Sequence, residues 1–96
     1  MNKYMVTIMD ASGTAEKRVI FKDQHFRDIQ TYKDLGLLQS GGMILGENGE
    51  FVGGYFFATA DSKQKIIDYI NADIYGTSGV WDLSSVVIHA IKPANV

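Results

Sequence analysis

Apolar residues fall along this chain in short blocks whose spacing changes from block to block, and those changes predict its elements. Lys3 to Met9 (Lys-Tyr-Met-Val-Thr-Ile-Met) is brief, β-branched and aromatic, as a strand is. Asp10-Ala-Ser-Gly-Thr14 is a turn whose Asp, Ser and Thr can each cap the helix after it. That first helix is predicted to begin between Thr14 and Val19 and to run to about Leu35, where Gly36 supplies the stop. Within it Phe21, His25, Ile29 and Tyr32 recur at spacings of four, four and three, and Phe26 and Leu35 widen the stripe. His25 therefore points along the apolar side of the helix.

Leu37 to Leu45 predicts a second strand, and its paired Gly41-Gly42 suggests a bulge or a close backbone approach. Glu47-Asn48-Gly49-Glu50 carries the Asn-Gly signal of a tight hairpin, and Phe51 to Ala58 is the third strand. A second helix comes next, with Thr59 or Asp61 as N-cap and Gln64 three residues after Asp61 resembling a capping box. Its stripe is Ile66, Ile67 and Ile70, with Tyr69 beside it, and it ends near Asn71. Asn71 to Val80 reads as an irregular loop in which Asp73, Tyr75, Gly76, Thr77, Ser78 and Gly79 are crowded together. Polar groups on a loop held by a rigid scaffold are where function tends to sit. Leu83 to Ile91 is the last strand, ended by Pro93.

The order β-α-β-β-α-β over residues 1–96 predicts a single α+β domain: a ferredoxin-like sandwich with two helices on one face of a four-stranded antiparallel sheet. Two helices cover only one face. Yet Tyr4, Val6 and Ile8 alternate with Met5 and Met9, and Phe51, Tyr55 and Phe57 alternate with Val52, Phe56 and Ala58. A sheet with one wet face should alternate apolar with polar, so a partner is expected on the second face. Covering ~1,600 Å² that is ~65% apolar yields on the order of 25 kcal/mol gross. That exceeds the ~4–15 kcal/mol lost on association, and a homodimer through the sheet face is the expectation.

Composition narrows the function classes. With no cysteine, disulfides, thiolate metal sites and Cys nucleophiles are excluded. A net charge of −2 with scattered Lys and Arg leaves no basic stripe for nucleic acid. There is no long apolar run and no signal-peptide pattern, so a cytoplasmic chain that does not enter the membrane is expected. Two histidines give too few ligands for a metal site, and neither a metal nor a cofactor is expected.

His25 and Asp73 are the candidate pair. An imidazole exchanges protons at cellular pH, and a carboxylate on one ring nitrogen fixes its tautomer and raises the basicity of the other. Spacing alone favours His25 as a half-buried helix residue and Asp73 as a loop cap or turn former. Ser40, Gly41, Gly42 and Tyr75 are the candidate pocket walls. Ser40, Thr77 and Ser78 lack a nucleophile-elbow pattern. His89, in phase with Val87 and Ile91, reads as a packing or interface residue. Tyr75 and Trp81 suit an aromatic pocket or the core alike. Gly53-Gly54 lets the sheet bend or an aromatic ring pack over it.

Glu16-Lys17-Arg18 before His25, the Gly-Leu-Leu-Gln-Ser-Gly-Gly-Met stretch from Gly36 to Met43, Gly53-Gly54, and Asp73-Ile-Tyr-Gly-Thr-Ser-Gly-Val80 before a final strand occur in this order along nearly the whole chain. In that order they resemble the YCII-related (YciI-like) family. The resemblance implies a dimeric α/β-barrel of two ferredoxin-like subunits with His25 and Asp73 as the active pair, and some similar proteins act in dehydrochlorination. Two positions depart from it: the family commonly has Pro where Gly42 and Ile74 stand, so looser loops are expected here. Two function classes remain. One is a small acid–base enzyme of isomerase, lyase or hydrolase type, working on a small molecule in a cleft; the other is a non-catalytic, dimeric binding or pathway-accessory module.

Overall fold

Val6, Tyr4 and Ile8 alternate along the first strand and are buried, while their neighbours Met5, Thr7 and Met9 face the other way, so one side of the sheet is fixed by this strand alone. The computed structural model describes residues 1–94. Its strands are β1 (Asn2–Met9), β2 (Leu38–Leu45), β3 (Phe51–Ala60) and β4 (Val87–Ile91), in the spatial order β2-β3-β1-β4 and all antiparallel. In register with β1, Phe56 and Ala58 of β3 and Ile88 of β4 continue the buried face. The helices α1 (Ala15–Ile20), α2 (Lys22–Asp34), α3 (Lys63–Ala72) and the single turn α4 (Ile74–Thr77) complete the α+β, ferredoxin-like architecture, the subunit fold of dimeric α/β-barrels.

Four boundaries differ from expectation, each for a local reason. The first helix is broken at Phe21 into α1 and α2. Phe21 N still donates to Lys17 O and His25 N to Phe21 O, both at 2.9 Å, but Arg18 O accepts the Tyr75 hydroxyl at 2.7 Å. That carbonyl would otherwise receive the Lys22 amide, so a side chain inserted into the ladder breaks the helix. α3 starts after Ser62, not Thr59 or Asp61: β3 runs on to Ala60, Thr59 Oγ1 donates to Gln39, and Gln64 bonds Asp68 one turn ahead in place of a capping box. The expected loop from Asn71 to Val80 contains α4, capped by Asp73. β4 begins at Val87 because Asp82 Oδ1, accepting from the Ser84 amide and hydroxyl, winds Leu83–Ser85 into a 3₁₀ turn.

The glycine pairs do steric work. The register irregularities in β2 fall between Leu38 and Ser40 and between Ile44 and Leu45, beside Gly41-Gly42 and not on them. At Gly41 a Cβ would lie 2.6 Å from Tyr55 O, and at Gly42 it would lie 2.8 Å from the Tyr55 hydroxyl, so the Tyr55 ring takes the space over Gly42. At Gly53 a Cβ would stand 2.5 Å from Ile8 O, whereas at Gly54 it would meet only Gly42 O at 3.6 Å. Gly36 at φ 84° ends the first helical unit as expected, and Gly49 at φ 82° turns the β2–β3 hairpin. Among the described residues no helix is long and apolar enough to cross a membrane.

The two adjacent glycines of β3 should therefore respond differently to the same change. Gly53→Ala forces β1 and β3 apart where β1 ends at Met9 and should lower stability by about 1–3 kcal/mol. Gly54→Ala should stay within about 0.5 kcal/mol of the parent. Urea unfolding midpoints of the two variants measure the difference.

Candidate active site

Asp73 ends α3, caps α4 and is the most buried charged side chain among the described residues, at 0% exposure. A carboxylate out of water must have its lone pairs filled by donors, and three elements supply them. Tyr69 of α3 donates its hydroxyl to Oδ2 at 2.7 Å, the Tyr75 amide of α4 donates to Oδ1 at 2.9 Å, and His25 Nδ1 of α2 lies 2.8 Å from the same Oδ1. Tyr69 and Asp73 meet because they are one helical turn apart. His25 reaches them from α2, which begins just after the break at Phe21.

With Asp73 as acceptor, the neutral His25 ring carries its proton on Nδ1, and Nε2 keeps its lone pair. His25 borders the large cleft, its side chain is 13% exposed, and Nε2 has no hydrogen-bond partner among the described residues. The ring stacks on Tyr75 at 3.9 Å between centroids and 13° between planes, and meets the edge of Trp81 at 5.5 Å. Tyr75 is fixed in turn by its hydrogen bond to Arg18 O and by the Arg18 guanidinium 5.0 Å from its ring centre. The aromatic stack holds the imidazole plane while Asp73 holds its rotation.

The cleft opens between α1–α2 and the β2–β3 half of the sheet and has a volume of about 1020 Å³. Of the sequence-predicted walls, Tyr75 forms its back beneath His25, and Gly41 pairs with Phe56 on the helix-facing side. Ser40 and Gly42 pair with Phe57 and Tyr55, so their α-carbons look toward the opposite face and they meet the cleft at its β2 edge. His89 pairs with Met5 on that opposite face, away from the cleft. No group of three or more His and acidic side chains converges among the described residues.

Sequence reasoning missed two supporting groups. Asp28, one turn after His25 on α2, accepts the Ile74 amide at Oδ2 (2.8 Å) and Gln24 Nε2 at Oδ1 (2.8 Å). Thus α2 grips the Asp73–Tyr75 segment twice, once through the imidazole and once through the backbone beside it. Ile74 stands where the YCII-related pattern commonly has proline, and a proline has no amide to give Asp28. The loop is tied here, contrary to the looser one expected. The other group is Arg18, whose Nε and Nη2 donate to Asp10 Oδ2 at 2.8 Å and Oδ1 at 3.3 Å. A charged pair between the last turn of α1 and the residue after β1 leaves no periodic signal.

Burial, the Asp73 charge and their mutual hydrogen bond push the Tyr69 hydroxyl well above the usual phenol range. Burial also raises Tyr75, against a smaller opposing effect of Arg18. A phenol raised in the folded state contributes stability that is complete below ~10, the unfolded value, and falls as pH rises beyond it by ~1.4 kcal/mol per unit per group. Tyr69→Phe should cost about 1.5–3 kcal/mol near neutrality and make the alkaline loss of stability shallower, as read from unfolding between pH 9 and ~11. Asp28→Ala should cost about 0.5–2 kcal/mol, and in an Ile74→Pro background, where the bond to the Ile74 amide is already gone, only the ~0.2–0.5 kcal/mol of its i,i+4 bond from Gln24; a thermal-unfolding double-mutant cycle checks this.

No protein-family model matches this chain, and no curated protein matches it. Among solved structures it is similar to 5-chloro-2-hydroxyhydroquinone dehydrochlorinase (TftG) from Burkholderia phenoliruptrix AC1100, in complex with 2,5-dihydroxybenzoquinone. The TM-score is 0.81 at 16% identity, over 96% of this chain and 95% of that one. It is also similar to a protein from Arabidopsis thaliana (TM-score 0.51, 18% identity, 100% and 98% covered). A third is a structural-genomics protein from Agrobacterium tumefaciens (TM-score 0.53, 16% identity, 99% and 95% covered). At these identities the likeness concerns the fold: the chain has the small ferredoxin-like α+β fold that all three share.

Proposed function

We propose that this chain is a cytoplasmic small-molecule enzyme of YciI-like type in which His25 is the general base and acid and Asp73 the carboxylate that orients it. The observation that carries the reading is the 2.8 Å contact between His25 Nδ1 and Asp73 Oδ1, with the other ring nitrogen left on the cleft. Nε2 takes a proton from a hydroxyl or activated C–H of the bound molecule. The imidazolium is held by Asp73 and returns the proton to a product or to water. No side-chain nucleophile enters this scheme, which suits proton transfer, isomerisation or elimination. In an elimination the proton goes to Nε2 and the leaving group departs with its bonding pair.

A similar fold carries a dehydrochlorinase, so a chlorinated hydroxyhydroquinone is the first compound to assay, by chloride release. Turnover should fall about 10²–10⁴-fold in His25→Gln and, with the imidazole no longer held in its tautomer, by a comparable factor in Asp73→Asn. Long-range ¹H–¹⁵N spectra should give the Nδ1–H tautomer in the parent protein and a mixture in Asp73→Asn. An Nε2–H tautomer in the parent would overturn the assignment of the base. Binding without turnover, unchanged in His25→Gln, would support the non-catalytic module.

The same proposal includes a homodimer through the outer sheet face. Met5, Met9, Ile44, Tyr55, Phe57 and Val87 lie together there by register, half-buried or exposed, with no helix over them. Light scattering after size exclusion at low micromolar concentration should give twice the chain mass of 10.6 kDa. A monomer would rule the dimer out.

A further inference from the structure

A guanidinium has five N–H donors in one plane, and the use Arg18 makes of them is lopsided. Asp10 takes its side edge, with Nε to Oδ2 at 2.8 Å and Nη2 to Oδ1 at 3.3 Å. The end edge consists of one Nη1 hydrogen and the second Nη2 hydrogen. Among the described residues its one contact is the thioether of Met43, 3.8 Å from Nη1. Arg18 and Asp10 are only 13% and 11% exposed, and Met43 and both members of the pair border the cleft. A thioether is a weak acceptor, so strong donors are left under-bonded on the cleft side.

We infer that this end edge of Arg18 is the anion-recognition point of the cleft, taking the carboxylate, or another oxyanion, of a planar ring compound. The inference rests on the proposed site and names its ligand class. The two-pronged edge matches a carboxylate, which can accept from Nη1 and Nη2 together. The planar ring is implied by the walls. The guanidinium lies 5.0 Å from the Tyr75 ring centre and 6.0 Å from that of Phe51, and the remaining lining includes Phe26, Ile29, Phe56 and Trp81. The His25 ring rests on the same Tyr75, at 3.9 Å. Arg18 and His25 thus contact the same ring and border the same cleft, and a substituted six-membered ring held there would set its anion on Arg18 and its reacting atoms toward Nε2.

Asp10 tempers this point. It neutralises much of the Arg18 charge, so the free edge recognises by hydrogen-bond direction more than by net charge, and removing the Asp10 charge should strengthen anion binding. A purely structural Arg18–Asp10 pair, which merely pins α1 to the end of β1, makes the opposite forecast: either substitution loosens the cleft and weakens every ligand alike.

The test is equilibrium binding of benzoate and of its uncharged counterpart benzamide, followed by calorimetry and by the emission of Trp81, the chain's single tryptophan and a cleft residue. Benzoate should bind at least ~10-fold more tightly than benzamide, and Asp10→Asn should tighten benzoate ~5–10-fold while leaving benzamide unchanged. Arg18→Gln, and Asp10→Asn with Arg18→Gln where the single variant does not fold, should bring benzoate down to the benzamide level. Equal binding of the two probes overturns the inference, as do absence of benzoate binding and weakening by Asp10→Asn. None of these readouts involves turnover. Benzoate binding through Arg18 in a chain whose His25 transfers no proton would sink the acid–base reading alone.

Discussion

A carboxylate at zero exposure shapes this molecule, because the desolvation of Asp73 is tolerable only while three donors from three elements face it at once. Removing an ion from water costs several kcal/mol, and the hydrogen bonds that offset it depend steeply on geometry. The packing of α2, α3 and α4 is therefore one problem with a narrow solution: Tyr69 must stand one turn before Asp73, Tyr75 two residues after it, and His25 opposite both. Any of the three placed elsewhere leaves a buried charge without its partner. The candidate active site is at the same time the polar centre of the helical layer.

From that centre the constraint spreads outward along Tyr75. Its amide caps Asp73, its ring supports the imidazole and the Arg18 guanidinium, and its hydroxyl takes the Arg18 carbonyl out of the helical ladder. The break at Phe21 is thus a consequence of the site, and it lets α1 and α2 line the cleft from different directions. On the sheet side, β1 keeps bulky residues on the helix-facing side, while glycines of β2 and β3 let strands and the Tyr55 ring approach closely.

How far the sequence reveals this depends on the range of the interaction. The succession of elements, the β2–β3 hairpin, the Gly36 stop and the two-faced alternation of β1 arise from local periodicity and turn chemistry, and they are legible in the residues. The N-cap of α3, the start of β4 and the break at Phe21 are not, because each is decided by a hydrogen bond that local pattern does not encode: Thr59 to Gln39, Asp82 to Ser84, Tyr75 to Arg18. The sequence offers Asp73 either as a cap or as a partner of His25, and the structure has it in both contacts, since a carboxylate has lone pairs enough for each. Asp28 and Arg18 give no such signal. A lone Asp on a helix and one Arg in a basic run look like solvated surface until the chain folds them against a backbone amide and an aromatic ring.

The double use of Asp73 Oδ1 has a mechanical consequence. The same oxygen accepts from the Tyr75 amide and lies against His25 Nδ1, so the cap of α4 and the orientation of the imidazole share one atom. A displacement of α4 that carries Asp73 with it moves Oδ1 relative to the imidazole of α2. The Asp28 bond to the Ile74 amide opposes that displacement from the α2 side, and with it α2, the imidazole and the first turn of α4 are tied into one piece. The Tyr75 ring, which forms the back of the cleft, travels with them. An imidazole–carboxylate contact of this kind is held in place by a buried charge that cannot lose a partner without a desolvation cost.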